Sequence, residues 1–319
     1  MFADIAQAME FSLSVTGPIF LVVFLGIILK YIGMISDSFI QGASKIVFNV
    51  AIPALLFITI ARVELTTLLN LPLLIFSSIA TLIIFGFLSF IAPMVVQEDR
   101  DRGVFVQGSL RGNLGVVGLA LCANSYGSEG LAIASILMAV LTILYNILSL
   151  YTLNRSLIEG QGSIIRLTCI SIMRNPIIIS ILCGLVFAYW QIHLPPVVLT
   201  TVEYFSQMAL PLALLCIGGS LSLKGLMGSL SVPMTATLFK IVLVPIVMVG
   251  GAYYAGFRGA ELGILFMLVG SPTATVSFIV VRALNGNGPL AANIVVLTTF
   301  CSLVTLSLGL VLLKGWGVI

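Results

Sequence analysis

Ala51-Ile52-Pro53 and Ala209-Leu210-Pro211 stand 158 residues apart, and the same shift lays Gly17-Pro18 on Asn175-Pro176, Gly26 on Gly184 and Gly130 on Gly288. The chain therefore reads as two copies of one unit. Each copy divides into five apolar segments, and an odd number of membrane crossings makes the second copy enter the bilayer from the side opposite to the first. Two such copies form an inverted repeat, the architecture of many secondary transporters.

Composition agrees. Of the 319 residues 60% are hydrophobic and 8% charged, with a mean hydropathy of +1.23, which is outside the range of a water-soluble domain. The fold class is an all-α, polytopic membrane protein. The predicted spans are 12–32, 44–62, 70–97, 103–123, 129–153, 169–190, 202–222, 230–255, 259–282 and 288–315, each near the length an apolar helix needs to cross a bilayer. Residues 1–153 make the first five-helix repeat and 169–319 the second. The stretch between them, 154–168, carries Ser156, Gly160, Gly162 and Ser163 and reads as the linker.

The net charge of +3 is scattered, with no basic run, so no nucleic-acid partner is expected and the bilayer is the expected surroundings. Asp4 and Glu10 precede any Lys or Arg, unlike the basic start of a cleavable signal, so the first span is expected to be a helix of the mature protein. Placing the N-terminus outside puts Lys30, Lys45, Arg100, Arg102, Arg155, Arg166, Arg174, Lys224 and Arg282 in the cytoplasm and leaves Arg62, Arg258 and Lys314 outside. Short basic loops stay in the cytoplasm, which predicts ten spans with both termini external.

Cys122, Cys169, Cys183, Cys216 and Cys301 show no C-x-x-C pair, and the one histidine, His193, sits in the loop before Pro195-Pro196. Neither a metal set nor a cofactor is expected from them. Arg111 and Lys240 are different. Each lies deep in its span, Arg111 about eight residues in and so on the order of 12 Å below the helix start. The acids Glu64, Glu129, Glu203 and Glu261 fall at or near span ends or in loops. Two intramembrane cations without an intramembrane carboxylate favour a solute that brings the negative charge itself. Arg offers a planar fork for carboxylate or phosphate, and Lys a mobile point charge. The plainer alternative is that both snorkel to an interface or bond carbonyls of interrupted helices.

Such interruptions are readable. The fourth span runs Gly108-Ser109-Leu110-Arg111-Gly112-Asn113-Leu114-Gly115-Val116-Val117-Gly118, and the ninth Gly270-Ser271-Pro272-Thr273-Ala274-Thr275-Val276-Ser277. Glycine density in one and a proline among hydroxyls in the other make poor continuous helices. A broken helix exposes N–H groups that attract an anion and carbonyls that attract a cation. Small residues also serve tight helix packing, which keeps that alternative open. In the second and seventh spans Pro53 and Pro211 each follow a polar residue, Asn49 and Gln207, at equal depth. Their kinks are first of all structural, with Asn49 placed to reach a freed carbonyl or the solute.

The runs Phe48-Asn49-Val50-Ala51-Ile52-Pro53-Ala54-Leu55-Leu56-Phe57, Arg111-Gly112-Asn113-Leu114-Gly115-Val116-Val117-Gly118-Leu119 and Gly270-Ser271-Pro272-Thr273-Ala274-Thr275 resemble bacterial members of the auxin efflux carrier family, in order and across essentially the whole chain. The resemblance implies a ten-helix fold similar to the bile acid sodium symporters. Helices 1, 2, 6 and 7 would form a scaffold that often dimerises, and helices 3–5 and 8–10 a moving transport domain in which helices 4 and 9 are broken and cross. It implies a solute site at Asn113 and the Pro272 region, with Lys240 on the adjoining eighth helix, and organic anions such as auxin or a dicarboxylate (malonate or malate) as solutes. An inner-membrane location is implied with it. The fourth span departs from the pattern in having no proline at its break, only Gly112 and Gly115.

The expectation is a secondary carrier for a small organic carboxylate that works by elevator-type displacement. Arg111 and Lys240 supply charge, and Asn113, Ser109, Ser271, Thr273 and Thr275 supply directional bonds. Without an intramembrane acid, uniport or export driven by the solute gradient is favoured over proton coupling. A sodium site near Asn113 and Thr275, built of carbonyls and hydroxyls, stays open. An enzyme is not expected, since no H-E-x-x-H, G-x-S-x-G or facing pair of acids occurs. A channel or solute-sensing receptor would use the same broken helices.

Overall fold

The computed structural model describes residues 2–62, 70–157, 173–174, 176–192, 194–220 and 230–319. Most of the expected linker (158–168, with Arg166), and also Glu64, Cys169, Asn175, His193 and Lys224, lie outside the described residues, as does the side chain of Arg282. The described elements are helices. α1 is Phe2–Tyr31, α2 Asp37–Ala61, α3 Leu71–Val95, α4 Asp99–Leu110, α5 Leu114–Leu157 and α6 Pro176–Tyr189. After them come α7 Pro196–Ser220, α8 Ser231–Tyr254, α9 Gly259–Val269, α10 Thr275–Ala283 and α11 Gly288–Gly315. Six of these, α2, α3, α5, α7, α8 and α11, are long and apolar enough to cross a membrane.

Local chemistry explains the starts and bends. Ser36, Asn70 and Asn287 open α2, α3 and α11, each side-chain oxygen accepting a backbone N–H three residues on, from Phe39, Leu73 and Leu290. Pro53 and Pro245 lack an N–H and crowd the preceding turn. Both α2 and α8 widen into a five-residue π turn just before them, at Val47–Ala51 and Phe239–Leu243. α5 breaks direction at Gly127, whose φ of 61° and ψ of −149° suit glycine alone.

α1 packs along α7, and α2 along both α6 and α7. A second group joins α3 to α4, α4 and α9 to α5, α8 to α9 and α11, and α10 to α11, while α1 also runs beside α11. Glycines set the closest seams. A methyl on Gly26 would strike the Leu215 carbonyl, and one on Gly218 the Val23 carbonyl, so α1 and α7 cross backbone to backbone. Gly184 brings α6 to the Phe57 carbonyl and Ile60 of α2 in the same way, 3.1 Å from each to its would-be Cβ.

α3 divides into two faces. Leu73, Ser77, Thr81, Ile84, Leu88 and Ala92 are buried, whereas Ile75, Ile79, Ile83, Phe87, Phe90 and Met94 are exposed along its whole length. An exposed apolar stripe of that length belongs in hydrocarbon rather than water. The chain is a multi-pass membrane protein.

Candidate functional site: the paired interruptions

α4 ends with the Arg111 N–H donating to the Gln107 carbonyl at 2.9 Å, after which the chain turns extended at Arg111 and residues 111–113 stay outside helical geometry. α9 ends at Val269, and residues 270–274 leave helical geometry before α10 begins at Thr275. The two interruptions meet side by side and antiparallel, with Gly112 opposite Thr273. The Asn113 N–H donates to the Pro272 carbonyl at 2.7 Å, and the Ala274 N–H to the Arg111 carbonyl at 3.1 Å. Each thus satisfies backbone groups that the other's lost helical turn left open.

Side chains of the second interruption finish the structural work. The Thr273 hydroxyl donates to the Gly108 carbonyl at 2.7 Å, tying α4 to the pair, and the Ser271 hydroxyl donates to the Leu268 carbonyl at 2.6 Å. The Thr273 N–H donates to Thr298 Oγ1 on α11, 3.1 Å away. Gly112 is required by space: a Cβ there would sit 2.8 Å from Ser271 Oγ and 3.2 Å from Lys240 Nζ. From Asn113 the chain enters a wide turn, Leu114–Gly118, that contains Gly115 and is closed by the Gly118 N–H on the Asn113 carbonyl.

Lys240, in the π turn of α8, is fully buried, and its ammonium donates to the Val269 carbonyl at the end of α9, 2.6 Å away. It is the one charged side chain fully buried among the described residues, and no carboxylate pairs with it there. The plainer alternative for Lys240, a bond to a carbonyl of an interrupted helix, is thus present, and that bond holds the ammonium beside Gly112 rather than at the lipid. Arg111 is half-buried and has no side-chain partner among the described residues. Asn113 is buried, Ser109 is buried with an unpartnered hydroxyl, and Thr275 opens α10 half-buried. No group of three His, Cys, Asp or Glu side chains among the described residues could hold a metal ion.

Arg111, Gly112, Asn113, Lys240, Ser271, Pro272 and Thr273 are therefore brought together, with Ser109, Gly115 and Thr275 flanking. Asn49 is not. It lies exposed on α2, its amide donating to the Lys45 carbonyl of its own helix at 2.8 Å. Pro53 shapes the α2 π turn, and Pro211 lies inside α7, which packs against the wide turn 114–118. The sequence reading passed over Thr298 and Gln107. Gln107, four residues before the first interruption, is buried with neither amide atom partnered, and a lone amide in an apolar span was the available cue.

The outer half-helices are held at their starts. Asp101, in the first turn of α4, accepts from Asn287 Nδ2 at 2.8 Å, and Glu261, in the first turn of α9, accepts from Asn70 Nδ2. Each capping asparagine therefore serves its own helix and anchors another.

The family model described as "Membrane transport protein" matches residues 15–310. The chain belongs to the auxin efflux carrier family. Among its relatives in the family is an "Uncharacterized transporter" of Methanothermobacter thermautotrophicus, 25% identical over 298 residues, 92% of this chain and 96% of the relative. Another, named likewise a transporter, comes from Methanocaldococcus jannaschii and is 22% identical over 307 residues, 93% and 96% of the two chains. In this auxin efflux carrier family member the matched region takes in both interruptions, residues 111–113 and 270–274. Membrane transport is the activity the family carries.

Proposed function

We propose that the paired interruptions bind a small organic carboxylate and that the protein carries it across the cytoplasmic membrane, with both termini outside, by elevator-type displacement. The observation that bears most of this reading is a buried ammonium beside a backbone crossing, with Arg111 one residue from that crossing and, among the described residues, neither an ion-pair partner for Arg111 nor a carboxylate to neutralise either group. An anion completes that charge set at the cost of its own desolvation alone, whereas a cation would add to the imbalance. Asn113 and Thr275 supply amide and hydroxyl groups for orientation.

The same proposal takes the chain as ten spans in two inverted repeats. Supporting this, Gly26 and Gly184, 158 residues apart, serve matching seams, α1 on α7 and α6 on α2. The antiparallel pairing of 111–113 with 272–274 fits a two-fold axis in the membrane plane. The grouping of α1, α2, α6 and α7 fits a scaffold, with the remaining helices moving as the transport unit. The lack of a buried acid among the described residues favours uniport or export driven by the solute gradient over proton coupling. A second reading, sodium-coupled symport, draws on the unpartnered buried oxygens of Ser109 and Gln107 Oε1, which are hard donors of the type sodium takes.

Purified protein screened by thermal shift against mono- and dicarboxylates, with and without sodium, tests both readings, because a bound solute stabilises with the logarithm of its saturation. Stabilisation by a carboxylate that is lost in Arg111→Gln or Lys240→Gln supports the charge assignment, and unchanged affinity in both variants defeats it. Saturable counterflow of labelled solute in liposomes is expected of a carrier, whereas unsaturable conductance would mean a channel.

A further inference from the structure

At one end of the bundle, away from the interruptions, the end of α3, the start of α4 and the end of α5 enclose a cleft of about 680 Å³. Its walls include Ser89 and Pro93 of α3, Arg100 and Arg102 of α4, and Tyr151 and Arg155 of α5. Arg102 is spent on the α3–α4 turn: it donates to the Val96 carbonyl at 3.1 Å and the Gln97 carbonyl at 3.4 Å, and pairs with Asp99. That pairing also consumes the acid lining the cleft. Arg100 and Arg155 are exposed and have no ion-pair or hydrogen-bond partner among the described residues. The cleft thus carries two uncommitted guanidinium groups.

Its surroundings are those of a membrane boundary. The α3 residues that line the cleft, Ser89 and Pro93, adjoin in sequence Phe90 and Met94, where the exposed apolar stripe of α3 ends, and the half-exposed Tyr151 packs its ring on Phe85 of α3 at 6.2 Å between centroids. Tyrosine with its ring on apolar residues and its hydroxyl toward water marks the headgroup level. The distribution of Lys and Arg assigns this end to the cytoplasm, where anionic lipids attract basic pockets between helices. Guanidinium forks suit phosphate oxygens.

We propose that this cleft seats the phosphate headgroup of an anionic membrane lipid, held by Arg100 and Arg155, with the acyl chains lying along Phe87, Phe90 and Met94 of α3. The lipid would brace α3, α4 and α5 against one another at their common end.

Native mass spectrometry of the purified protein in an equimolar mixture of phosphatidylglycerol and phosphatidylcholine tests this. The wild type is expected to retain phosphatidylglycerol preferentially. Each arginine near a lipid surface is worth roughly a fivefold factor, so the Arg100→Gln/Arg155→Gln double variant should lose about 25-fold of that preference. The Arg100→Lys/Arg155→Lys variant should keep most of it, as should Lys45→Gln, which removes a charge elsewhere on the surface. If the double variant does not fold, the single Arg155→Gln variant carries the same test at about fivefold. A double variant that keeps the full preference overturns the proposal. So does displacement of the lipid by soluble glycerol phosphate at equal concentration, which would assign the cleft to a free phosphate ester.

Discussion

The two interruptions that meet in the bundle solve the same backbone problem with different residues. In the second, Ser271 and Thr273 return their hydroxyls to the Leu268 and Gly108 carbonyls, and Pro272 offers its carbonyl to Asn113. Its polar groups are consumed in holding shape. The first has no proline. Its backbone is held from across the pair, and the Arg111 side chain is committed to nothing among the described residues. The contrast suggests a division of labour in which one strand of the crossing builds the frame and the other offers chemistry.

Gly112 tests the frame most severely. Gly112→Val forces branched carbon into Ser271 Oγ and the Lys240 ammonium, and overpacking of this type costs about 1–3 kcal/mol. Loss of monodisperse protein on size exclusion is the expected result, and normal yield would show that the pair is loosely packed. Next, Arg111→Gln separates chemistry from stability. Hydrogen bonds to charged groups are worth about 1.5–3 kcal/mol, so carboxylate affinity should fall roughly 10- to 100-fold while the melting temperature without solute stays put. Thr273→Val should do the reverse. It leaves the buried Gly108 carbonyl unbonded at a cost of about 1–3 kcal/mol, which lowers the melting temperature with a small change in affinity. If Arg111→Gln destabilises and Thr273→Val abolishes binding, the division of labour is wrong. Smallest of all is Asn49→Ala: the exposed amide serves its own helix, and uptake within about twofold of wild type is expected for loss of such a surface bond.

Several of these features had cues in the chain itself. Composition identified the solvent, because no water-soluble fold tolerates such hydropathy, and the ordered runs at 48–57, 111–119 and 270–275 pointed to the family. Gly112 and Pro272 flagged places where a helix is costly to continue. What lacked a cue was partnership. Nothing local states that Asn113 donates to Pro272, that Thr298 receives the Thr273 N–H, or that the Lys240 ammonium ends on the Val269 carbonyl, because each joins segments many residues apart. Asn49 shows the opposite case. Its position before a proline suited either a carbonyl of its own helix or the solute, and its amide donates to the Lys45 carbonyl on the exposed face of α2, away from the paired interruptions. The arginines of the cleft were legible only as topological markers, since their convergence needs the ends of three helices.

Four helix ends converge where the interruptions pair: the tails of α4 and α9 and the heads of α5 and α10. Each head carries roughly plus half an elementary charge and each tail roughly minus half, so the peptide dipoles cancel around the crossing. The electrostatic potential at its centre is left to the side chains, and that makes the sign of the field a property that two codons, those for residues 111 and 240, are able to reverse.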